Sequence, residues 1–147
     1  MDIEKATNKE LASIIEIDAM LVGNHNRKDF INNAIEAGRC LVASTSGKVV
    51  GYGILENTFY GQGFIGLLVV HPEYRRRGIA TALIRLIETI CPTKKLFTST
   101  NKSNIIAQKT YEANGFVRSG HIDNLDEGDP EIIYFKHLAG VDPGGSV

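Results

Sequence analysis

The segment from Leu67 to Glu88 changes character twice within a short stretch of chain. It reads LLVVHPEYRRRGIATALIRLIE: an apolar run, a basic turn with one glycine, and a segment with apolar residues at helical spacing. The apolar run predicts a β-strand, and the spacing after it predicts an amphipathic helix. The first backbone N–H groups of a helix have no partner within the helix, so the segment predicts a binding site for an anion such as a phosphate.

The overall charge argues against large anionic partners. Sixteen basic and seventeen acidic residues give a net charge of −1, so we expect neither nucleic acid nor a membrane as a partner. The N-terminal MDIEKATNKE is too charged for a signal peptide, and no apolar run reaches the ~18–20 residues of a membrane span. We therefore expect a cytoplasmic protein. The four histidines show no ligand spacing, so no metal site is expected.

Turn and capping signals divide the chain into elements in the order βααβββαβαββ. A capping box at Thr7–Glu10 begins the first helix, Ser46-Gly47 predicts a hairpin, and Gly115 ends the last helix. Hairpins mixed with helical crossovers are typical of an α/β (α+β) fold, here with a mixed sheet of about six to seven strands and about four helices. We expect one domain at 1–138 and a disordered, glycine-rich tail at 139–147.

Two apolar patterns predict where the core lies. The strand at 64–70 is nearly all apolar, which is typical of a strand covered on both faces. In the helix at 78–90 one apolar stripe is predicted. It consists of Ile79, Leu83, Leu86, Ile87 and Ile90.

The basic turn carries residues suited to a diphosphate. Arg75, Arg76 and Arg77 offer planar, forked donors, while Gly78 and Ala80 let the backbone approach the ligand closely. A solvated basic turn that caps a helix is the alternative interpretation. The turn is not a P-loop, because neither Lys-Ser nor Lys-Thr follows Gly78.

The turn resembles the acyl-CoA binding motif of the GNAT superfamily of N-acetyltransferases. That motif is Arg or Gln, two residues, Gly, one residue, then Gly or Ala, and here Arg75, Gly78 and Ala80 fill those places. The stretch from Asn104 to Phe116, NIIAQKTYEANGF, resembles the second cofactor segment of the family. The resemblance covers about residues 1–138 and implies a GNAT fold that uses acetyl-CoA as acyl donor.

The resemblance also implies roles for individual residues. Backbone amides across Arg76 to Thr81 would hold the pyrophosphate of acetyl-CoA, the main chain of Val70 would bind the pantetheine arm, and Asn104 would contact the same arm. The implied cofactor-binding residues are Val69, Val70, Arg75, Arg76, Arg77, Gly78, Ile79, Ala80, Thr81 and Asn104.

Tyr111 occupies the position of the family's general acid. A phenol with an ordinary pKa near ~10 can protonate a departing thiolate whose thiol pKa is near ~8.5. Packing against the sheet, with the hydroxyl in a structural bond, is the alternative role. Some family members use a Glu on the strand before the turn as base, but the strand at 64–70 has Gly66 and no carboxylate. A water-relayed base and deprotonation of the substrate by solvent are therefore open alternatives. Glu56, His71 and His121 are candidates for the base, and none is assigned.

The acceptor is predicted from the acidic loop at 123–131. Its carboxylates, among them Asp126, Glu127 and Asp129, would attract a cationic amine; a solvated hairpin loop is the alternative. The loop also resembles the closing segment of small-molecule GNAT enzymes, including aminoglycoside acetyltransferases. We expect acetyl transfer to a primary amine of an aminoglycoside or a polyamine. Protein or peptide acetylation and a non-catalytic acyl-CoA sensor stay open, as does a homodimer, since GNAT enzymes are often dimers.

Overall fold

A computed structural model describes residues 1–138 of the chain, and the predicted tail at 139–147 lies outside the described residues. Within these 138 residues, seven strands and four helices follow one another in the predicted order, which confirms the fold class. Their bounds are β1 Asp2–Lys5, α1 Asn8–Val22, α2 Lys28–Glu36, β2 Cys40–Thr45, β3 Lys48–Phe59, β4 Gln62–Val70, α3 Ile79–Ile90, β5 Lys95–Asn101, α4 Ile105–Ala113, β6 Val117–Ile122 and β7 Glu131–His137.

The described chain divides into two compact units. The first comprises Met1–Glu56 and Ile65–Thr89, and its strands follow the order β1-β2-β3-β4. The second comprises Asn57–Phe64 and residues 90–138 of the described chain, with the strand order β5-β7-β6. Within residues 1–138, no helix is both long and apolar enough to cross a membrane.

Local signals place the early elements of the first unit. At the start of α1, the Thr7 N–H donates to Glu10 Oε1 at 2.8 Å, and the complete capping box is present. The turn between β2 and β3 has positive φ at both Ser46 (51°) and Gly47 (78°). Two left-handed residues match the twist of a two-residue hairpin, so β3 returns antiparallel to β2 as predicted.

The core of the first unit joins α1 and α2 to β2 and β3. Apolar side chains from all four elements are buried together, and Leu67 and Val69 of β4 pack against them. The buried members are Ala6, Ile14, Ile17, Ile31, Ala34, Ile35, Cys40, Val42, Val49, Tyr52 and Ile54.

The two apolar patterns near the basic turn are only partly confirmed. The expectation that β4 is covered on both faces is wrong for Gly66–Val70, which is half-buried in the structure. An apolar strand in that state is a surface that a ligand can cover. In α3 the predicted stripe buries Ile79, Leu83 and Ile87, but Ile84 is buried too, because it lies one turn before Ile87 on the same side.

The second unit is built around aromatic side chains. Tyr111 of α4 lies 5.6 Å from Phe116 and 5.8 Å from Tyr134, measured between ring centroids. Strand β7 pairs antiparallel with β5, and this register sets Tyr134 opposite Thr98. Both of these residues are fully buried.

One buried carboxylate ties α1 to β3 and to Arg27, the residue that precedes α2, within the first unit. Asp18 accepts two hydrogen bonds from the Arg27 guanidinium, at 2.6 and 3.0 Å, and a third from the Tyr52 hydroxyl at 2.7 Å. Burial, and next the hydrogen bond to Asp18, raise the pKa of Tyr52 above its ordinary range. Since the Asp18 side chain is only 3% exposed, these three donors replace the hydrogen bonds that its carboxylate would make to water.

We expect Asp18→Asn to lower the free energy of unfolding by about 2–3 kcal/mol, because it weakens charge-assisted hydrogen bonds in a buried position. Tyr52→Phe is the matched control, since it removes one donor and leaves the Arg27 pair intact; its expected cost is about 1 kcal/mol. Urea titration of the three proteins gives the comparison. Equal stability losses in the two variants would contradict the central role of Asp18.

Candidate active site

The turn between β4 and α3 has a backbone that few side chains tolerate. A short 3₁₀ helix at Pro72–Tyr74 leads into Arg75, and then both Arg76 (φ 64°) and Gly78 (φ 78°) adopt left-handed conformations. For a residue with a side chain, such as Arg76, this conformation costs roughly 1–2 kcal/mol. Backbone strain of this kind is concentrated at functional sites.

The turn ends at the N-terminus of α3. The Ala82 N–H donates to the Gly78 carbonyl at 3.0 Å, so the amides of Ile79 and Ala80 precede the first helical hydrogen bond. The side chain of Ile79 is buried, which leaves only its main chain for a ligand. A Cβ on Gly78 would meet no atom within 4 Å, so the space beside the turn is open. A helix start with this space beside it can receive an anion.

Three exposed cations accompany the helix start. The Arg77 guanidinium lies over the Tyr74 ring, 5.0 Å from its centroid, and is held there by a cation–π contact. Arg75 and Arg76 are exposed and have no carboxylate partner among residues 1–138. Of the three predicted arginines, these two are available to an anionic ligand.

The predicted pantetheine strand has one face in the core. Val69 packs against the core of the first unit, while Val70 is half-buried. Directly after Val70, the His71 N–H donates to the Val50 carbonyl at 2.8 Å, which holds the end of β4 on β3. Val70 is therefore the better placed of the two valines for a ligand contact.

Tyr111 lies in the second unit, with only 6% of the residue exposed. Its side chain is hydrogen-bonded to that of Thr98 in β5, a partner that has no signal in the sequence. Burial raises the pKa of Tyr111; the hydrogen bond to Thr98 opposes this rise, and the Glu131 charge adds to it. The phenol is therefore protonated at neutral pH, as a general acid must be.

Asn104 has a structural role at the start of α4. Its side-chain oxygen accepts a hydrogen bond from the Ala107 N–H at 3.1 Å and so caps the helix. The oxygen is thus engaged, and a contact to pantetheine would use the amide nitrogen.

The acidic loop is tied to the segment that precedes α4. Asp129 accepts hydrogen bonds from the Ser103 N–H at 3.0 Å and from its hydroxyl at 2.6 Å. Asp126 accepts one from the Asn101 side chain at 2.8 Å. Glu127 is exposed and has no partner among residues 1–138. Of the three predicted substrate contacts, two carboxylates therefore hold the loop in shape and one faces solvent.

The fold and the turn agree with one class of protein, the acyl-CoA N-acyltransferases. The model of the acetyltransferase (GNAT) family matches residues 10–116. The chain belongs to the GNAT acetyltransferase family.

Solved structures of other acetyltransferases share this fold. A GNAT-family acetyltransferase from Bacillus cereus ATCC 10987 is 40% identical, with a TM-score of 0.91 over 95% of this chain and 98% of that chain. The yncA protein from Salmonella typhimurium, solved with its cofactor acetyl-CoA, has a TM-score of 0.80 at 18% identity, over 97% and 96% of the two chains. The ribosomal-protein-S18-alanine N-acetyltransferase from Escherichia coli has a TM-score of 0.77 at 20% identity, over 97% of each chain. At these low identities, the last two show the fold alone. Comparison with curated protein sequences gives no match.

We expect Gly78→Glu to weaken CoA binding about tenfold or more, because it sets a negative charge and bulk in the open space beside the turn. Gly78→Ala is the control, since it has the same strain at φ +78° but adds no charge. Titration calorimetry with CoA measures both. Unchanged affinity in the Glu variant would place the diphosphate at another position.

Proposed function

We propose that this protein transfers the acetyl group of acetyl-CoA to a primary amine of a small cationic molecule. The observation that carries the proposal is the strained turn at Arg75–Gly78, which joins free guanidinium groups to the open N-terminus of α3. This arrangement suits the diphosphate of CoA. It also agrees with the acetyl-CoA bound to the yncA protein of the same fold.

The donor binds through main chain and cations. Arg75 and Arg76 neutralise the diphosphate, and the amides of Ile79 and Ala80 donate to its oxygens. The pantetheine arm then lies along β4, where Val70 offers its main chain. The half-buried apolar surface of Gly66–Val70 is covered when the arm is bound.

The chemical step is direct attack of the amine on the thioester. The nitrogen adds to the carbonyl carbon, and backbone donors of β4 stabilise the oxyanion that forms. When the carbon–sulfur bond breaks, Tyr111 donates its proton to the thiolate. The buried phenol is protonated at neutral pH and therefore has that proton to give.

The acceptor is proposed to be an aminoglycoside or a polyamine. Glu127 is the loop carboxylate best suited to a cationic substrate, because Asp126 and Asp129 are already hydrogen-bonded within the protein. A second candidate is a protein or peptide acceptor, since the ribosomal-protein-S18-alanine N-acetyltransferase shares this fold.

Release of CoA thiol in the presence of an amine panel tests the proposal. We expect turnover with spermidine or an aminoglycoside and none with peptides. Turnover with peptides alone would replace the small-molecule acceptor by a protein. Tight CoA binding without turnover on any acceptor would indicate a non-catalytic sensor.

We expect Tyr111→Phe to lower kcat by about 10²-fold or more and to leave acetyl-CoA affinity nearly unchanged, because the ring packing is kept and only the acidic proton is lost. Thr98→Val removes the hydroxyl that is hydrogen-bonded to Tyr111 and leaves the phenol in place. It therefore separates the effect of losing the acid from the effect of losing its hydrogen-bond partner. Steady-state kinetics and calorimetry give the two quantities. An unchanged kcat in the Phe variant at several pH values would exclude Tyr111 as the acid.

A further inference from the structure

An amine that is protonated at neutral pH cannot attack a thioester until it loses a proton. If the protein acts as proposed above, a group near β4 that accepts this proton would accelerate the reaction. Three side chains are candidates from the sequence, namely Glu56, His71 and His121, and they differ in their partners in the structure.

The two histidines are engaged elsewhere. His71 accepts a hydrogen bond at Nδ1 from the Glu73 N–H at 3.1 Å, and its ring packs edge-on against Tyr74. His121 lies in β6, where its Nε2 is 3.3 Å from Asp123. Each of the two rings thus already has a polar partner.

Glu56 lies directly against β4. A Cβ built on Gly66 would be 2.9 Å from Glu56 Cδ and 3.2 Å from Cγ, and it would overlap the carboxylate oxygen Oε2. The carboxylate of β3 thus fills the space that a side chain on β4 would take. Strand β3 thus places a carboxylate beside the part of β4 that has none of its own.

The Glu56 carboxylate makes no polar contact that would stabilise the described part of the fold. It is half-buried, yet it has no hydrogen bond or ion pair within residues 1–138. Removing a carboxylate from water without a partner costs free energy. Stabilisation of the fold therefore does not explain an unpaired carboxylate at this place. A role in accepting a proton during the reaction does.

The position along β4 fits the reacting end of the donor. With the diphosphate at the start of α3 and pantetheine at Val70, the arm continues down β4 toward Gly66. Gly66 precedes Val70 by four residues, which is roughly 13 Å along a strand. The carboxylate of Glu56 thus lies on the side of Val70 where the acyl group is expected.

We propose that Glu56 is the general base of the acetyl transfer. Its carboxylate takes one proton from the ammonium group of the acceptor, directly or through one water. The neutral nitrogen forms a bond to the carbonyl carbon, the carbon–sulfur bond breaks, and Tyr111 protonates the thiolate. The nitrogen then gives up its second proton, which restores the phenol, and Glu56 releases its own to solvent.

Glu56→Gln tests the charge of this group. We expect kcat with the amine acceptor to fall about 10²-fold or more at pH 7. CoA affinity by calorimetry should stay unchanged, which also shows that the variant is folded. Glu36→Gln is the matched control, because it removes an exposed carboxylate from α2 of the same unit and should leave kcat unaltered.

Gly66→Ala tests the position of the group. The new methyl would push the Glu56 side chain aside, which is easy because the atoms it meets belong to the end of a flexible side chain. We expect a loss in kcat although the carboxylate is still present. A second change, Glu56→Gln in the Gly66→Ala background, should then add little to the loss.

A weakly basic acceptor separates base catalysis from a structural effect. An O-alkyl hydroxylamine is already neutral at pH 7, so we expect Glu56→Gln and the wild type to acetylate it at similar rates. Equal losses with this probe and with a protonated amine would overturn the proposal, as would a kcat unchanged by Glu56→Gln. Absence of turnover by the wild type itself would overturn the proposed function, and the base with it.

Discussion

The left-handed backbone at Arg76 and Gly78 controls how the chain leaves β4 and enters α3. The helix begins directly after Gly78, so its first amides follow a residue beside which the space is open. Their partial positive charge adds to that of the arginines in the turn. The proposed binding of the donor, the proposed course of its arm along β4 and the proposed place of the reacting group all depend on this one change of direction.

Glycines in β3 and β4 set what lies against the sheet. A Cβ on Gly51 would be 2.9 Å from the Val69 carbonyl oxygen and 3.1 Å from Ile79, so α3 packs directly on the strand backbone. A Cβ on Gly53 would likewise be 2.9 Å from the Ile87 side chain. At Gly66 the missing side chain leaves room for a carboxylate instead of a helix. The same residue type thus fixes the helix in one place and opens the proposed reaction site in another.

Features that depend on neighbours in sequence were predictable. The capping box at Thr7, the hairpin at Ser46-Gly47 and the helix end at Gly115 are correct because each involves residues at most a few positions apart. The apolar pattern of β4 identified a strand, but burial on both faces was wrong. The pattern of apolar residues in the sequence predicts a strand, whereas the burial of its two faces depends on which other elements pack against them.

The resemblance of two segments, Arg75–Ala80 and Asn104–Phe116, identified the class of protein from the sequence, because each motif consists of residues close together in the chain. Tertiary structure decided the rest. The bond between Tyr111 and Thr98 and the ties of the acidic loop join residues far apart in the chain. The contact of Glu56 with Gly66 depends on the pairing of two strands, so it follows from register and not from sequence spacing.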